Sequence, residues 1–130
     1  MEEYFQQLNR YYDKIFVLSV ADATARRALF DERFKGLNYS FFFGADKNQF
    51  TIEEVKNNGV FSELLTRERH RFGKTMKPGE IACSWSHKMI YEEMLAKNYD
   101  RILVFEDDVV PDKEMINRIP AILKEIPDGC

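Results

Sequence analysis

Three consecutive acidic residues, Glu106, Asp107 and Asp108, follow the apolar run "ILVF" and are followed by two valines. Adjacent carboxylates repel one another, and the repulsion grows as they leave water. A divalent cation removes this cost, because Mg²⁺ and Mn²⁺ prefer hard oxygen ligands. A solvated strand end that caps the next helix is the alternative, but the apolar flanks draw the acids towards the core and favour a metal site.

The order of the three acids indicates which of them can share a ligand. Side chains alternate along an extended segment, so Glu106 and Asp108 point the same way and Asp107 points the opposite way. Glu106 and Asp108 can therefore face one metal ion together. Asp107 can reach a ribose hydroxyl or the end of a helix.

Two adjacent arginines, Arg26 and Arg27, lie in the first turn of a predicted helix, where the helix dipole disfavours cations. An anion held at that helix end reverses the penalty, and arginine binds phosphate well. Two interpretations stay open. The pair contacts a phosphate group, or it has only a structural place, with both arginines on a solvated face or with Asp22 paired to one of them.

The segment "KPGEIACSWSH" predicts a Pro-Gly turn that leads into a helix, with Glu80 favouring the start of that helix. Ser84, His87 and Tyr91 then share one helix face. A serine nucleophile with a histidine base is rejected, because a regular helix gives neither an exposed elbow nor an oxyanion hole. From the residues alone, His87 is typical of a hydrogen-bonded helix histidine.

Strands and helices alternate along the chain. Short apolar runs predict strands at residues 14–20, 39–46 and 99–108. Helices are predicted at residues 22–36, 51–59, 62–73, 80–98 and 112–126. Asp22 or Thr24 is the expected cap of the first helix, the second begins with a capping box, and Pro120 interrupts the last.

This alternation, with apolar strands, predicts an α/β fold whose parallel sheet is covered by helices on both faces. Ligands of such sheets bind at the carboxyl ends of the strands. Every predicted strand runs into polar or small residues at its carboxyl end, at residues 19–22, 44–46 and 106–108. The sequence therefore predicts a binding site at this edge of the sheet.

The composition bounds the class of protein. The chain has 130 residues, 45% of them hydrophobic, which predicts a single folded domain over residues 1–130. The net charge of −3 and the scattered basic residues argue against nucleic acid as a partner. Neither a signal peptide nor a transmembrane run is visible, so a cytoplasmic protein, at most peripheral to a membrane, is expected. Cys83 and Cys130 are too few for a disulfide framework, and Cys83 is expected in the core with Trp85.

Three stretches, "IFVLSVADATARR", "KPGEIACSWSH" and "ILVFEDDVV", together resemble glycosyltransferase family 25, which includes lipooligosaccharide and collagen galactosyltransferases. The second and third are close to the family's usual "GEIGCxLSH" and "LVLEDD", and the resemblance runs from about Lys14 to the end of the chain. The first departs from the usual "INLDRSPERR", with Ser19 in place of Asn and Ala21 in place of Asp. "FFFGAD" resembles the second strand, with Lys47 after Asp46 where Gly is usual.

The resemblance implies a GT-A-like, Rossmann-like sheet that binds a nucleotide sugar. It implies a UDP-sugar donor, UDP-galactose or a related sugar, a lipooligosaccharide or other glycan acceptor, and Mn²⁺ (or Mg²⁺) as the metal. It assigns Glu106 and Asp108 to the metal, with Asp108 as the first choice for a direct ligand. The residues that it assigns to the donor site are Arg26, Arg27, Asp46, Glu80, Ser84, His87 and Asp107.

Family members usually continue beyond "EIPDGC", so we expect the chain to be a donor-binding portion that is incomplete at its C-terminus. The carboxylate base that the family's inverting transfer needs is then expected beyond Cys130. Two other hypotheses compete with an active transferase. A non-catalytic remnant that keeps the fold is favoured by Ser19 and Ala21. A phosphohydrolase is weaker, because "EDDVVPD" lacks the D-x-D-x-T arrangement.

Overall fold

The structure is a computed structural model that describes residues 2–57, 59 and 76–127. The chain divides into a sheet unit, Met1–Phe42 with Met94–Cys130, and a helical unit, Phe43–Glu93. The prediction of a single domain over residues 1–130 stays a prediction. The helix expected at residues 62–73 lies outside the described residues, as does Cys130. None of the helices in the described ranges is long and apolar enough to span a membrane.

The described helices and strands alternate as the sequence predicts. In chain order they are α1 (Glu2–Tyr11), β1 (Lys14–Ser19), α2 (Thr24–Arg33), β2 (Ser40–Phe43), α3 (Ile52–Asn57), α4 (Pro78–Ala96), β3 (Ile102–Glu106), α5 (Lys113–Asn117) and α6 (Ile119–Glu125). All three strands form where expected, and each is shorter than its predicted range.

The three strands form one sheet with β1 between β2 and β3. β1 and β3 run parallel, and their register places Leu18 opposite Glu106. Residues 15–17 of β1 are all buried, as expected for a central strand that is covered on both faces, because successive side chains point to opposite faces. The predicted α/β fold, a small parallel sheet flanked by helices, is confirmed. The register also sets the carboxyl ends of β1 and β3 side by side.

Aromatic residues fill the core of the sheet unit. Phe30 of α2 is fully buried and stacks on Phe34, with ring centroids 4.2 Å apart. The rings of Tyr39, Phe41 and Phe105 lie 5.0, 6.2 and 6.0 Å from that of Phe30. Buried residues of α1, β1 and α5 complete this cluster, among them Phe5, Leu8, Ile15, Val17 and Ile116. A separate, smaller core in the helical unit joins Val55 and Ile81, with Trp85 packed against it.

The helix ends confirm two sequence predictions and correct one. Thr51 and Glu54 form the predicted capping box, with reciprocal hydrogen bonds of 3.3 and 3.2 Å. Pro120 lies in the first turn of α6, which begins where α5 has ended. The expected cap of α2 is wrong, because Ala23 occupies the N-cap position and no side chain caps it. The N–H of Ala23 donates to the carbonyl of Val20 at 3.0 Å, so the residues just before the helix form a tight turn.

Cys83 is exposed and not in the core, which corrects its expected place. The buried residues of α4 are Ile81, Ala82, Ser86 and Ile90, and they mark the face that is covered. Cys83 falls outside this face, since helical side chains project about 100° apart. Trp85 is partly buried against the small core of the helical unit, as predicted.

The N-terminal helix α1 was not predicted, because the polar composition of the first residues concealed its spacing. Phe5 and Leu8 recur at helical spacing and are both buried. The side chain of Asn9 donates to the carbonyl of Gly36 at 2.9 Å and accepts from the N–H of Asn38 at 2.7 Å. Gly36 has φ of +93°, which favours glycine there. These bonds tie α1 to the loop that enters β2.

Asp13 gives the sheet unit a dependence on acid. Its carboxylate accepts hydrogen bonds from the N–H groups of Arg101, at 3.1 Å, and Asp100, at 2.7 Å, just before β3. These two hydrogen bonds are the main reason that the pKa of Asp13 lies below its ordinary value of 3.8. Because the pKa is lowered in the folded state, Asp13 stabilises the fold at every pH above its ordinary pKa. This stabilisation is lost as the pH falls through the pKa of the folded state.

We therefore expect Asp13→Asn to lower the free energy of unfolding at neutral pH, by an amount that shrinks on acidification. Urea unfolding of wild type and of Asp13→Asn, from about pH 7 down to about pH 3, measures this difference. Asp22→Asn is the control, since it removes the same charge from an exposed turn. A difference between Asp13→Asn and wild type that is constant across this pH range would contradict the assignment.

Candidate functional site

The acidic residues Glu106–Asp108, here called the acid turn, leave the sheet at the end of β3. The N–H of Asp107 donates to the carbonyl of Leu18 at 3.2 Å, which extends the β1–β3 pairing by one step. The N–H of Val109 donates to the carbonyl of Glu106 at 3.3 Å and closes the turn. Asp107 is only 5% exposed, while Glu106 and Asp108 are exposed. Burial thus separates Asp107 from the other two acids, as the alternation predicts.

Groups from β1 and α2 surround the carboxylate of Asp107. Its Oδ2 accepts a hydrogen bond from the hydroxyl of Ser19 at 2.7 Å, and its Oδ1 lies 3.5 Å from Nη1 of Arg26. Two partners were expected for this carboxylate, a ribose hydroxyl or a helix end. In the structure the carboxylate contacts a side chain from the first turn of α2, that of Arg26. A contact between Asp107 and a donor stays a prediction.

Arg27 holds the loop between β1 and α2. Its Nη1 donates to the hydroxyl of Ser19 at 3.2 Å and also to the carbonyl of Val20. Its Nη2 donates to the carbonyl of Ala21 at 3.0 Å. These bonds satisfy loop carbonyls and fix the position of Ser19. Arg27 therefore has a clear structural role here, and its expected contact with a nucleotide stays a prediction.

Arg26 differs from its neighbour in exposure. Its side chain remains 53% exposed although it pairs with Asp107. This end of the sheet unit therefore offers a half-exposed guanidinium together with the exposed carboxylates of Glu106 and Asp108. Carboxylate oxygens suit Mg²⁺ or Mn²⁺, and guanidinium suits phosphate, so the arrangement fits a metal ion with a phosphorylated ligand.

The other predicted donor residues, Asp46, Glu80, Ser84 and His87, lie in the helical unit. Asp46 follows β2, where its Oδ1 accepts from the N–H of Asn48 at 2.9 Å and its carbonyl accepts from the N–H of Gln49 at 2.9 Å. This is a tight turn of the kind that aspartate stabilises. Asp46 is thus held in a defined loop after the strand.

Glu80, Ser84 and His87 all lie on α4. The carboxylate of Glu80 accepts from the N–H of Lys77 at 3.3 Å, which confirms its expected role at the helix start. Ser84 is exposed, and His87 is half-buried with its ring centroid 6.2 Å from that of Tyr91. The shared face of His87 and Tyr91 is therefore confirmed. Their roles towards a donor are not tested by these contacts.

Ser86 is the residue that sequence reasoning missed in the helical unit. It is 2% exposed, accepts a hydrogen bond from the N–H of Ala45 at 2.8 Å, and donates to the carbonyl of Ala82 at 2.7 Å. It therefore pins the loop that carries Asp46 to α4. The signal in the sequence was its spacing, since Ser86 lies four residues from both Ala82 and Ile90 on the buried face.

We expect Ser86→Ala to lower the free energy of unfolding by about 1–3 kcal/mol, because the N–H of Ala45 loses its acceptor. Chemical denaturation of the two chains measures the difference. Ser84→Ala is a matched control, since Ser84 is an exposed serine two residues away. Equal stability of the Ser86 and Ser84 variants would show that the hydrogen bond contributes nothing.

A cleft of about 750 Å³ lies in the sheet unit but away from the acid turn. Lys14, at the start of β1, and Ser40, at the start of β2, line it together with residues of the preceding loop. It therefore lies at the amino ends of these strands, whereas ligands of parallel sheets bind at the carboxyl ends. The acid turn is the candidate site because of its side chains and its place at the carboxyl ends of the strands, although the cleft is more concave.

Comparison with known proteins agrees with the motifs. The profile of the family described as "Glycosyltransferase family 25 (LPS biosynthesis protein)" matches residues 12–128. A human protein named "Inactive glycosyltransferase 25 family member 3" is 31% identical over 121 residues, which cover 88% of this chain and 20% of that protein. A rat protein named "Probable inactive glycosyltransferase 25 family member 3" is 30% identical over 118 residues, with the same two shares.

A further relative comes from Aedes aegypti. It is named "Glycosyltransferase 25 family member" and is 34% identical over 97 residues, which cover 74% of this chain and 15% of that protein. The matched regions thus span 15% to 20% of the lengths of these three relatives. The similarity concerns one portion of much longer proteins.

Proposed function

Because the chain belongs to glycosyltransferase family 25, we propose that it is the donor-binding part of a glycosyltransferase. The reaction proposed is transfer of a hexose, galactose first, from a UDP-sugar to lipooligosaccharide or another glycan. The observation that carries the proposal is the acid turn, where exposed Glu106 and Asp108 flank a buried Asp107 at the carboxyl end of the parallel sheet. A GT-A-like donor site at this edge is part of the proposal.

Glu106 and Asp108 would hold Mn²⁺ or Mg²⁺, since both are exposed oxygen donors on alternate positions, one on each side of the buried Asp107. When bound, the metal neutralises the diphosphate and stabilises the charge that builds on the UDP leaving group. Arg26 orients the diphosphate with its half-exposed guanidinium. Arg27 keeps the loop before α2 in place through its bonds to two carbonyls.

The residues of the helical unit are proposed to line or support the donor pocket. They are Asp46, Glu80, Ser84 and His87. Three of them are held in place: Asp46 by its turn, Glu80 by its cap and His87 beside Tyr91.

Calorimetric titration of UDP into the chain, with and without Mn²⁺, tests the proposal. We expect binding that requires the metal, because the acid turn by itself repels the diphosphate. A folded chain that binds UDP in neither condition would overturn it. UMP, which lacks the β-phosphate, is a matched ligand control and is expected to bind more weakly.

A second candidate is a folded remnant without transferase activity. The printed names of the human and rat relatives favour it, since both include the word inactive. Ser19 and Ala21, which depart from the usual family motif, agree with this alternative. The remnant predicts that UDP does not bind with or without Mn²⁺, so the same titration separates the two candidates.

A further inference from the structure

We propose that Asp107 is a positioning residue, which acts through Ser19 and Arg26 and contacts neither the metal nor the ribose of the donor. This role rests on the proposed function, because it concerns the same donor site. It divides the acid turn into two exposed residues that bind, Glu106 and Asp108, and one buried residue that holds the site in shape.

Both carboxylate oxygens of Asp107 are already used within the chain. Oδ2 accepts from the Ser19 hydroxyl at 2.7 Å, and Oδ1 pairs with Arg26 at 3.5 Å. The side chain is 7% exposed, against 53% for that of Arg26. A ligand that approached from solvent would therefore meet the guanidinium of Arg26 before it met the carboxylate of Asp107.

The hydroxyl of Ser19 is oriented towards Asp107 by its other neighbours. A hydroxyl has one proton to donate and can accept at its lone pairs. Arg27 Nη1 donates to this oxygen at 3.2 Å, so one lone pair is occupied. The carbonyl of Val20 is the other acceptor within reach, but it is neutral and lies at 3.4 Å, against 2.7 Å for the carboxylate. The proton is therefore directed to Asp107, and the three groups form one connected network.

This network fixes the relative positions of three segments that belong to the proposed site. Ser19 ends β1, Arg26 lies in the first turn of α2 and Asp107 follows β3. The backbone bond from Asp107 to Leu18 fixes the turn to the same strand. Holding Arg26 by its pairing with Asp107 reduces the number of side-chain conformations that must be lost when a phosphate binds. Outer-shell partners of metal ligands are typically worth about 10- to 100-fold in metal affinity, and we expect the lower end of that range for a partner of Arg26.

A double-mutant cycle tests the role on the intact chain. We expect Asp107→Asn to weaken Mn²⁺-dependent UDP binding by about tenfold, since asparagine keeps the shape but loses the charge that holds Arg26. Arg26→Ala is expected to weaken it by at least as much. Ser19 holds the carboxylate of Asp107 in place, and Asp107 acts on the donor through Arg26. The double variant should therefore bind like Arg26→Ala alone. Glu32→Gln, an exposed acid on α2, is the charge control.

Deoxy ligands separate positioning from ribose contact. We expect the ratio of affinities for UDP and 2′-deoxy-UDP, and for UDP and 3′-deoxy-UDP, to be the same in wild type and Asp107→Asn. If Asp107 bound a ribose hydroxyl, Asp107→Asn would no longer distinguish UDP from the deoxy ligand that lacks that hydroxyl. Merely weakened folding lowers the melting temperature without giving non-additive losses in the cycle, so thermal unfolding is measured in parallel.

The outcomes are distinct. Losses that multiply in the double variant, or deoxy ratios that fall to one in Asp107→Asn, would overturn the positioning role while UDP binding stands. If wild type binds no UDP with Mn²⁺, the proposed function falls and this role falls with it. If Asp107→Asn does not fold, Ser19→Ala takes its place in the cycle. Ser19→Ala is expected to weaken UDP binding by less than Asp107→Asn would, and to have no further effect when combined with Arg26→Ala.

Discussion

Mn²⁺-dependent binding of UDP is expected to fall by about 100-fold or more in Asp108→Ala, since loss of an outer partner of a metal ligand already costs about 10- to 100-fold. Asp108 is exposed at the edge where β1 and β3 end, so its carboxylate is available to a ligand from solvent. Alanine removes the oxygen donors and leaves the diphosphate facing fewer compensating charges. Asp108→Asn keeps the volume of the side chain and is expected to give a similar loss.

The titration of UDP with Mn²⁺ measures this effect. Glu32→Gln is the control for loss of one negative charge elsewhere, and it should bind as wild type does. Thermal unfolding should show little change in either variant, because both side chains are exposed. Wild-type affinity in Asp108→Ala would remove Asp108 from the site, even if UDP binding itself were confirmed.

The largest effect on stability is expected from Phe30→Ala, which should lower the free energy of unfolding by about 3–5 kcal/mol. Phe30 is fully buried and stacks on Phe34 at 4.2 Å, while Phe41 and Phe105 close around it. Truncation leaves a cavity between α2 and the sheet that these rings fill only in part. Since small domains are stable by about 5–15 kcal/mol, a loss of this size removes much of the total.

Urea unfolding of Phe30→Ala beside Leu29→Ala measures the contribution of burial. Leu29 is the preceding residue on α2 and is 45% exposed, so its truncation should cost much less. Similar losses in the two variants would show that the aromatic cluster is not the main core of the sheet unit. The acid turn would then also be less firmly supported, because Phe105 belongs to this cluster and directly precedes it.

Much of the fold could be predicted from local patterns. The apolar runs gave the positions of β1, β2 and β3, and Thr51 with Glu54 gave a cap that the structure confirms. Errors arose where burial depends on distant packing. α1 was missed because Phe5 and Leu8 lie among polar residues, and Cys83 was misplaced because nothing local shows which face of α4 is covered.

The candidate site divides in the same way between sequence and structure. Residue types alone identified the acid turn, the two arginines and the family, because these depend on residues that are adjacent in the chain. The bond between Ser19 and Asp107 joins residues 88 positions apart, and only the register of β1 with β3 brings them together. The burial of Asp107 and the different roles of Arg26 and Arg27 were likewise decided by the tertiary structure. The physical reason is that hydrogen bonding and desolvation depend on neighbours in space, which local sequence does not specify.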